Sequence, residues 1–60
     1  MIATAVTFRK GITNTLLKVG EDNVKSINVD NGANYPMCTV IFEDGAQLII
    51  YSIETVVWEN

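Results

Sequence analysis

The sequence predicts an all-β fold, a small antiparallel sheet or barrel of five to six strands, in a single domain that spans residues 1–60. Val, Ile, Thr and aromatic residues, which favour pleated strands, fill the segments between turns. The turn-forming stretches VGEDN and DNGANYP interrupt these segments. Two pairs of stretches also resemble each other, VTFRKG with VIFEDG and NVKSINVDN with SIETVVWEN. This internal echo suggests two tandem three-stranded meanders.

The boundaries of the strands follow from the turns between them. Asn31-Gly32 is a strong turn signal, and Pro36 lacks a backbone donor, so we expect a strand to begin only after it. The segment TNTLLKVG is ambiguous, because Thr13 or Asn14 could cap a short helix over residues 13–19 and make the fold α+β. Its Thr-rich start and its short length favour a strand. The predicted strands are Ile2–Arg9, Thr15–Val19, Val24–Val29, Met37–Phe42, Ala46–Tyr51 and Thr55–Glu59.

The hairpin around Glu43-Asp44-Gly45 decides which side chains are buried. Asp-Gly is typical of a two-residue turn, which would pair Phe42 with Gln47. A three-residue loop, with Gly45 in the left-handed conformation, pairs Phe42 with Ala46 instead. We expect the second register, because it makes one face wholly apolar and the buried face selects the register. That face consists of Cys38, Val40, Phe42, Ala46, Leu48 and Ile50.

The opposite face of the sheet is also rich in apolar residues, and no convincing helix is left to cover it. A chain of 60 residues buries only ~60% of the surface that its unfolded form exposes, so small domains often need a disulfide, a metal or a partner subunit. One cysteine and no histidine leave neither an internal disulfide nor a Cys/His zinc site. The sequence therefore predicts a homo-oligomer. Its predicted interface comprises Ile41, Ile49, Tyr51 and Val57.

The charge is unevenly distributed. The net charge is −3, and all four basic residues lie in the first 25 positions. This composition disfavours direct binding to nucleic acid, which requires clustered Lys and Arg. It favours an acidic recognition face for a protein partner, formed by Glu43, Asp44, Glu54 and Glu59.

Membrane insertion and export are not indicated. The chain has no apolar run of 18 residues, and MIATAVTFRK has no basic region before its apolar stretch. We expect a cytoplasmic protein with no membrane partner.

Residues that could carry out catalysis are scarce. Without histidine, a nucleophile lacks its usual base. Cys38 on an alternating strand is interpreted as a small buried hydrophobic residue. Glu43-Asp44 is interpreted as a solvated turn. The isolated glycines form no phosphate-binding loop. We therefore expect no enzyme activity, no catalytic residue, no metal and no cofactor.

Three functions are compatible with this composition. The first is a small acidic inhibitor or adaptor that blocks a larger protein, a character common among phage-encoded anti-defence and host-takeover proteins; this is an analogy. The second is sequestration of an anionic small molecule such as a nucleotide, held in a pocket between protomers by Arg9, Lys10 and an aromatic residue. The third is a structural or assembly subunit.

Overall fold

The computed structural model describes residues 1–30 and 37–60, and it confirms the all-β prediction for these residues. The predicted turn at Asn31-Gly32 and the proline at position 36 lie outside the described residues. The six strands match the predicted ones to within two residues at every end. They are β1 (Ile2–Lys10), β2 (Thr13–Lys18), β3 (Val24–Asp30), β4 (Met37–Phe42), β5 (Gln47–Ile50) and β6 (Ile53–Glu59).

The ambiguous segment TNTLLK is a strand, so the helical alternative is wrong. Its side chains alternate with a period of two. Leu17 lies opposite Val6 and packs against the core, whereas its neighbour Leu16 is exposed. The tight turn before β2 places Gly11 at a left-handed φ of 65°, which glycine adopts without steric penalty.

The β4–β5 hairpin has the predicted three-residue loop. Gly45 has a left-handed φ of 91°, and its amide donates to the carbonyl of Phe42 at 3.0 Å. The amide of Phe42 donates to the carbonyl of Ala46 at 2.9 Å, and the amide of Ala46 donates to Asp44 Oδ1 at 2.9 Å. The register then pairs Val40 with Leu48, as expected.

The apolar face of this hairpin is only partly buried. Cys38, Val40 and Ile50 lie in the core, with Val40 fully inaccessible. Ala46 and Leu48 are exposed, because no layer of the described chain covers this end of the face. The uncovered end borders a groove.

The strands form one antiparallel sheet in the order β2-β1-β3-β4-β5, with β6 on the other side of β1, and five of them curl into a half-barrel. The prediction of two tandem meanders is wrong, because β2 does not pair with β3 and β5 does not pair with β6. Instead, the third strand of each half pairs with the first strand of the other half. Thus β3 pairs with β4, and β6 pairs with β1.

The internal echo is nevertheless present in the structure, in the registers of these exchanged strands. Equivalent positions of β1 and β4 are 34 residues apart in the sequence. Their pairing partners, which lie in β6 for β1 and in β3 for β4, are 29 residues apart. The irregularities also correspond, since the register shifts at Lys25 in β3 and at Glu54 in β6. The chain therefore has two similar halves that exchange strands. The equivalent pairs are Val6–Val56 and Val40–Ile27, and Phe8–Ile53 and Phe42–Val24.

The core lies inside the curl and draws on both halves. Ala3 pairs with Ile27, where β1 meets β3, and this contact joins strands β6, β1 and β2 to strands β3, β4 and β5. The buried cluster comprises Ala3, Val6, Phe8, Val24, Ile27, Cys38, Val40 and Ile50.

Candidate binding groove and charged turns

A groove of about 580 Å³ opens at the end of the curl where the hairpin face is uncovered. Its volume lies in the range of ligand-binding clefts. Two aromatic rings from equivalent positions of the halves, Phe8 and Phe42, contribute to its wall together with Leu17, Leu48 and Ile50. The uncovered apolar surface of the half-barrel is thus concentrated in one concave site.

Polar and basic residues complete the lining of this groove. They are Arg9, Lys10, Thr15 and Ser52, and no Asp or Glu is among the described residues that line it. Glu54 lies nearby and approaches Arg9, with 3.8 Å between Oε1 and Nε. Both side chains are largely exposed, so this ion pair is weak and leaves Arg9 available to another anion.

One wall of the groove is the edge of β5. Consecutive residues from Leu48 to Ser52 line it, and this indicates that the backbone, and not only one face of the strand, borders the space. Among the described strands, β5 pairs only with β4. The opposite wall includes Arg9 and Lys10, which lie beyond Phe8, the last residue of β1 that pairs with β6.

The direction of the β5 backbone groups follows from the hairpin register. The amide of Phe42 donates to the carbonyl of Ala46, so positions 42 and 46 are a hydrogen-bonded pair. In an antiparallel ladder such pairs alternate, and the next ones involve Leu48 and Ile50. The intervening residues Gln47 and Ile49 therefore direct their N–H and C=O groups away from β4, towards the free edge.

The acidic residues occupy two turns that touch each other. The amide of Glu43 donates to the carbonyl of Asn23 at 2.8 Å, so the β4–β5 turn lies beside the β2–β3 turn. This contact adds Glu21 and Asp22 to the predicted pair Glu43 and Asp44. A hollow of about 490 Å³ lies between the two turns, lined by Asp22, Asn23, Phe42, Glu43, Asp44 and Ala46.

Glu21 and Asp22 were not among the acidic residues predicted from the sequence, although the stretch VGEDN was predicted to be a turn. They belong to the half of the chain whose net charge is positive, so a count of charge along the sequence hides them. Only the contact between two turns distant in sequence reveals the acidic group. We call Glu21, Asp22, Glu43 and Asp44 the acidic turns.

The other two predicted acidic residues lie elsewhere. Glu54 and Glu59 are at opposite ends of β6, about 16 Å apart at ~3.3 Å per residue. Glu59 accepts a hydrogen bond from Thr4 Oγ1 at 3.1 Å, and Glu54 approaches Arg9. The structure therefore does not bring the four predicted carboxylates into one patch.

The predicted oligomer interface is divided as well. Ile49 and Tyr51 are 47% and 57% exposed, and Ile41 is half-buried on the outer face of β4. Val57 is 48% exposed on β6, opposite Ala5 of β1, and three strands (β1, β3 and β4) separate β6 from β5 in the sheet. Further exposed apolar side chains lie outside the predicted interface, among them Leu16 and Ile12, and Ile12 is 99% exposed at the tip of the β1–β2 turn.

Cys38 is buried in the core beside Val29 and Ile50, as predicted for a small hydrophobic residue. Burial raises the pKa of its thiol, because the thiolate would lose its hydration. Residues 1–30 and 37–60 contain no group of three or more side chains placed to hold a metal ion. No helix able to span a membrane occurs in this part of the chain.

Comparison with family models, with curated proteins and with solved structures finds no match to this chain.

Proposed function

We propose that this chain is a non-enzymatic, cytosolic binding protein that acts as an inhibitor or adaptor by occupying a surface of a larger protein. The acidic turns carry this proposal. Four carboxylates from two turns share one end of the molecule, and Lys18, 4.0 Å from Glu21, is the only basic side chain described in an ion pair with them. Such a group attracts a basic surface, including one that normally contacts nucleic-acid phosphates.

Reversing the charge of the acidic turns should abolish capture of the partner. We expect the variant with Glu43→Lys and Asp44→Lys to lose a protein that the unchanged chain retains from a bacterial lysate, because like charges then face each other. Affinity for the purified partner should also fall steeply between low and high salt, since exposed charges are screened. Quantitative mass spectrometry of the retained proteins, followed by titration of the partner, measures both effects.

A variant with Glu54→Lys and Glu59→Lys is the matched control, because it changes the net charge equally at residues outside the acidic turns. It should retain the partner. If both variants retain the same partner with unchanged affinity, the acidic turns do not form the contact.

We further propose that the protein acts as a homo-oligomer. Ile49, Tyr51 and Val57 expose large apolar areas, and a fully buried side chain of this size stabilises an assembly by roughly 1.5–3 kcal/mol. Because three strands of the sheet separate Val57 from Ile49, the exposed residues form two separate candidate surfaces.

Sedimentation at micromolar concentration tests the assembly and identifies the surface. Either Ile49→Lys or Val57→Lys should convert the oligomer to a monomer, since each places a charge in one of the two surfaces. Ile12→Lys is the control, because Ile12 is equally apolar but lies at a turn outside the predicted interface. A monomeric unchanged chain contradicts the proposal, and so does an oligomer that persists in both variants.

The alternative of an anion-sequestering protein has one observation in its favour. The groove combines Arg9 and Lys10 with three aromatic rings, and these are the residue types expected from the sequence to hold a nucleotide. Its lining is otherwise mainly aliphatic, and it is bordered by a free strand edge. These features favour an occupant with a backbone of its own.

A further inference from the structure

We propose that the groove binds an extended peptide segment of a partner protein, which adds to the free edge of β5 as an extra strand. The segment carries apolar side chains at alternate positions and a carboxylate at the end that reaches Arg9 and Lys10. This inference rests on the proposed role in binding proteins, but it does not depend on the acidic turns.

The free edge of β5 is suited to the addition of a strand. Gln47 and Ile49 direct their N–H and C=O groups towards the groove, and no described strand pairs with them. Exposed strand edges of this kind pair with added strands, whose main-chain hydrogen bonds supply affinity. A strand that adds to the four residues of β5 needs only about five or six residues of its own.

The lining of the groove beside this edge is suited to apolar side chains of the added strand. Phe8, Leu17, Phe42, Leu48 and Ile50 form an apolar surface beside this edge. Side chains of a strand alternate between two faces, so every second residue of an added strand would enter the groove. An apolar residue at these positions would cover Leu48, which is 39% exposed in this structure.

The charge of the groove lining indicates which group the bound segment carries at its end. Arg9 and Lys10 account for half of the basic residues of a chain whose net charge is −3. Both line the groove, and no described acidic residue does. The complementary group is therefore an anion at that end of the segment, either an acidic side chain or the carboxylate of a chain terminus.

A peptide library on the full chain tests this inference. The probes are dye-labelled six-residue peptides with Val, Ile, Leu or Phe at alternate positions and Glu at the first or the last position. A parallel set ends in a free carboxylate without Glu. We expect fluorescence anisotropy to reveal binding in at least one of these sets. Its best binder should lose affinity about tenfold when Lys replaces Glu or when the terminal carboxylate is amidated.

Main-chain pairing is tested separately from apolar capture. N-methylation of alternate amides in the best peptide should also weaken binding about tenfold, because it removes the hydrogen bonds to β5. In the protein, Ile49→Pro removes one donor at the free edge, where proline is tolerated, whereas Ile49→Thr keeps it. Circular dichroism verifies that both variants fold, and only the proline variant should show the large loss.

Any of three results would overturn the proposal. The first is that no peptide of the library binds, and the second is that the N-methylated peptide binds as tightly as the unmethylated one. The third is that binding is unchanged after Arg9→Gln and Lys10→Gln. Tighter competition by ATP than by the best peptide would instead assign the groove to nucleotides. The variant with Glu43→Lys and Asp44→Lys should bind the peptide normally, so failure of the acidic turns as a contact surface leaves this test intact.

Discussion

Phe8→Ala is expected to lower the free energy of unfolding by about 3–5 kcal/mol, the usual range for removing a buried phenylalanine from a core. Phe8 is 9% exposed and belongs to the buried cluster that joins the two halves. A domain of this length has a total stability of only roughly 3–9 kcal/mol. The variant should therefore be largely unfolded at 37 °C, as measured by urea denaturation and thermal melting.

The internal echo supplies a matched control for this substitution. Phe42 occupies the equivalent position in the other half, but it is only half-buried because it borders the hollow between the acidic turns as well as the groove, whereas Phe8 lines the groove but not the hollow. Phe42→Ala should be clearly less destabilising than Phe8→Ala. Equal losses would mean that Phe42, beside the hollow, is packed as tightly as Phe8.

Two fragments, residues 1–30 and residues 31–60, are each expected to be unfolded when separate. Each fragment keeps one hairpin but loses the strand that pairs along most of its third strand, because β3 pairs with β4 and β6 pairs with β1. In the first fragment, β3 keeps only the Ala3–Ile27 pair with β1. An isolated hairpin is marginally stable at best in water. Far-ultraviolet circular dichroism and the dispersion of amide resonances should show a random chain for each fragment and a sheet after mixing.

The reconstituted pair has its own control. Ile27→Asp in the first fragment should prevent assembly, because Ile27 is buried opposite Val40 of the second fragment. Lys25→Asp, at an exposed position of the same strand, should permit it. Either fragment folding as a monomer alone would contradict the strand exchange.

Strand positions and the β4–β5 register could be predicted from the sequence because both depend on local information. Leu16 and Leu17 alternate between solvent and core as a strand requires, and Gly45 allows the bulged turn that places Val40 opposite Leu48. Local patterns of this kind are set by turn chemistry and by a period of two.

The order of the strands could not be predicted in the same way. Whether β6 pairs with β5 or with β1 depends on contacts such as that of Trp58 with Ala3, which are separated by most of the chain. The repeated pattern showed that the halves are similar, but similar halves can form consecutive meanders or exchange strands. The sequence contains no local signal that distinguishes these two arrangements.

The candidate site was predictable only in its residue types. Arg9, Lys10, Glu43 and Asp44 were singled out from the sequence, but the surfaces to which they belong arise from curvature and from contacts between turns. The groove exists because the curl leaves the end of the β4–β5 face uncovered. The acidic turns exist because Glu43 contacts Asn23. Neither the curvature of the sheet nor the contact between the turns can be deduced from the order of charged residues along the sequence.

Because the single thiol is buried, the rate at which it is modified can be used to measure local opening of this small protein. Cys38 is 1% exposed near the start of β4, so a thiol reagent can modify only those molecules in which this part of the sheet has transiently separated. With fast reclosing, the modification rate reports the fraction of molecules in which the interior is open to solvent. A peptide strand bound along β5 would slow the modification of the thiol, so this rate would report occupancy of the groove without a label on the peptide.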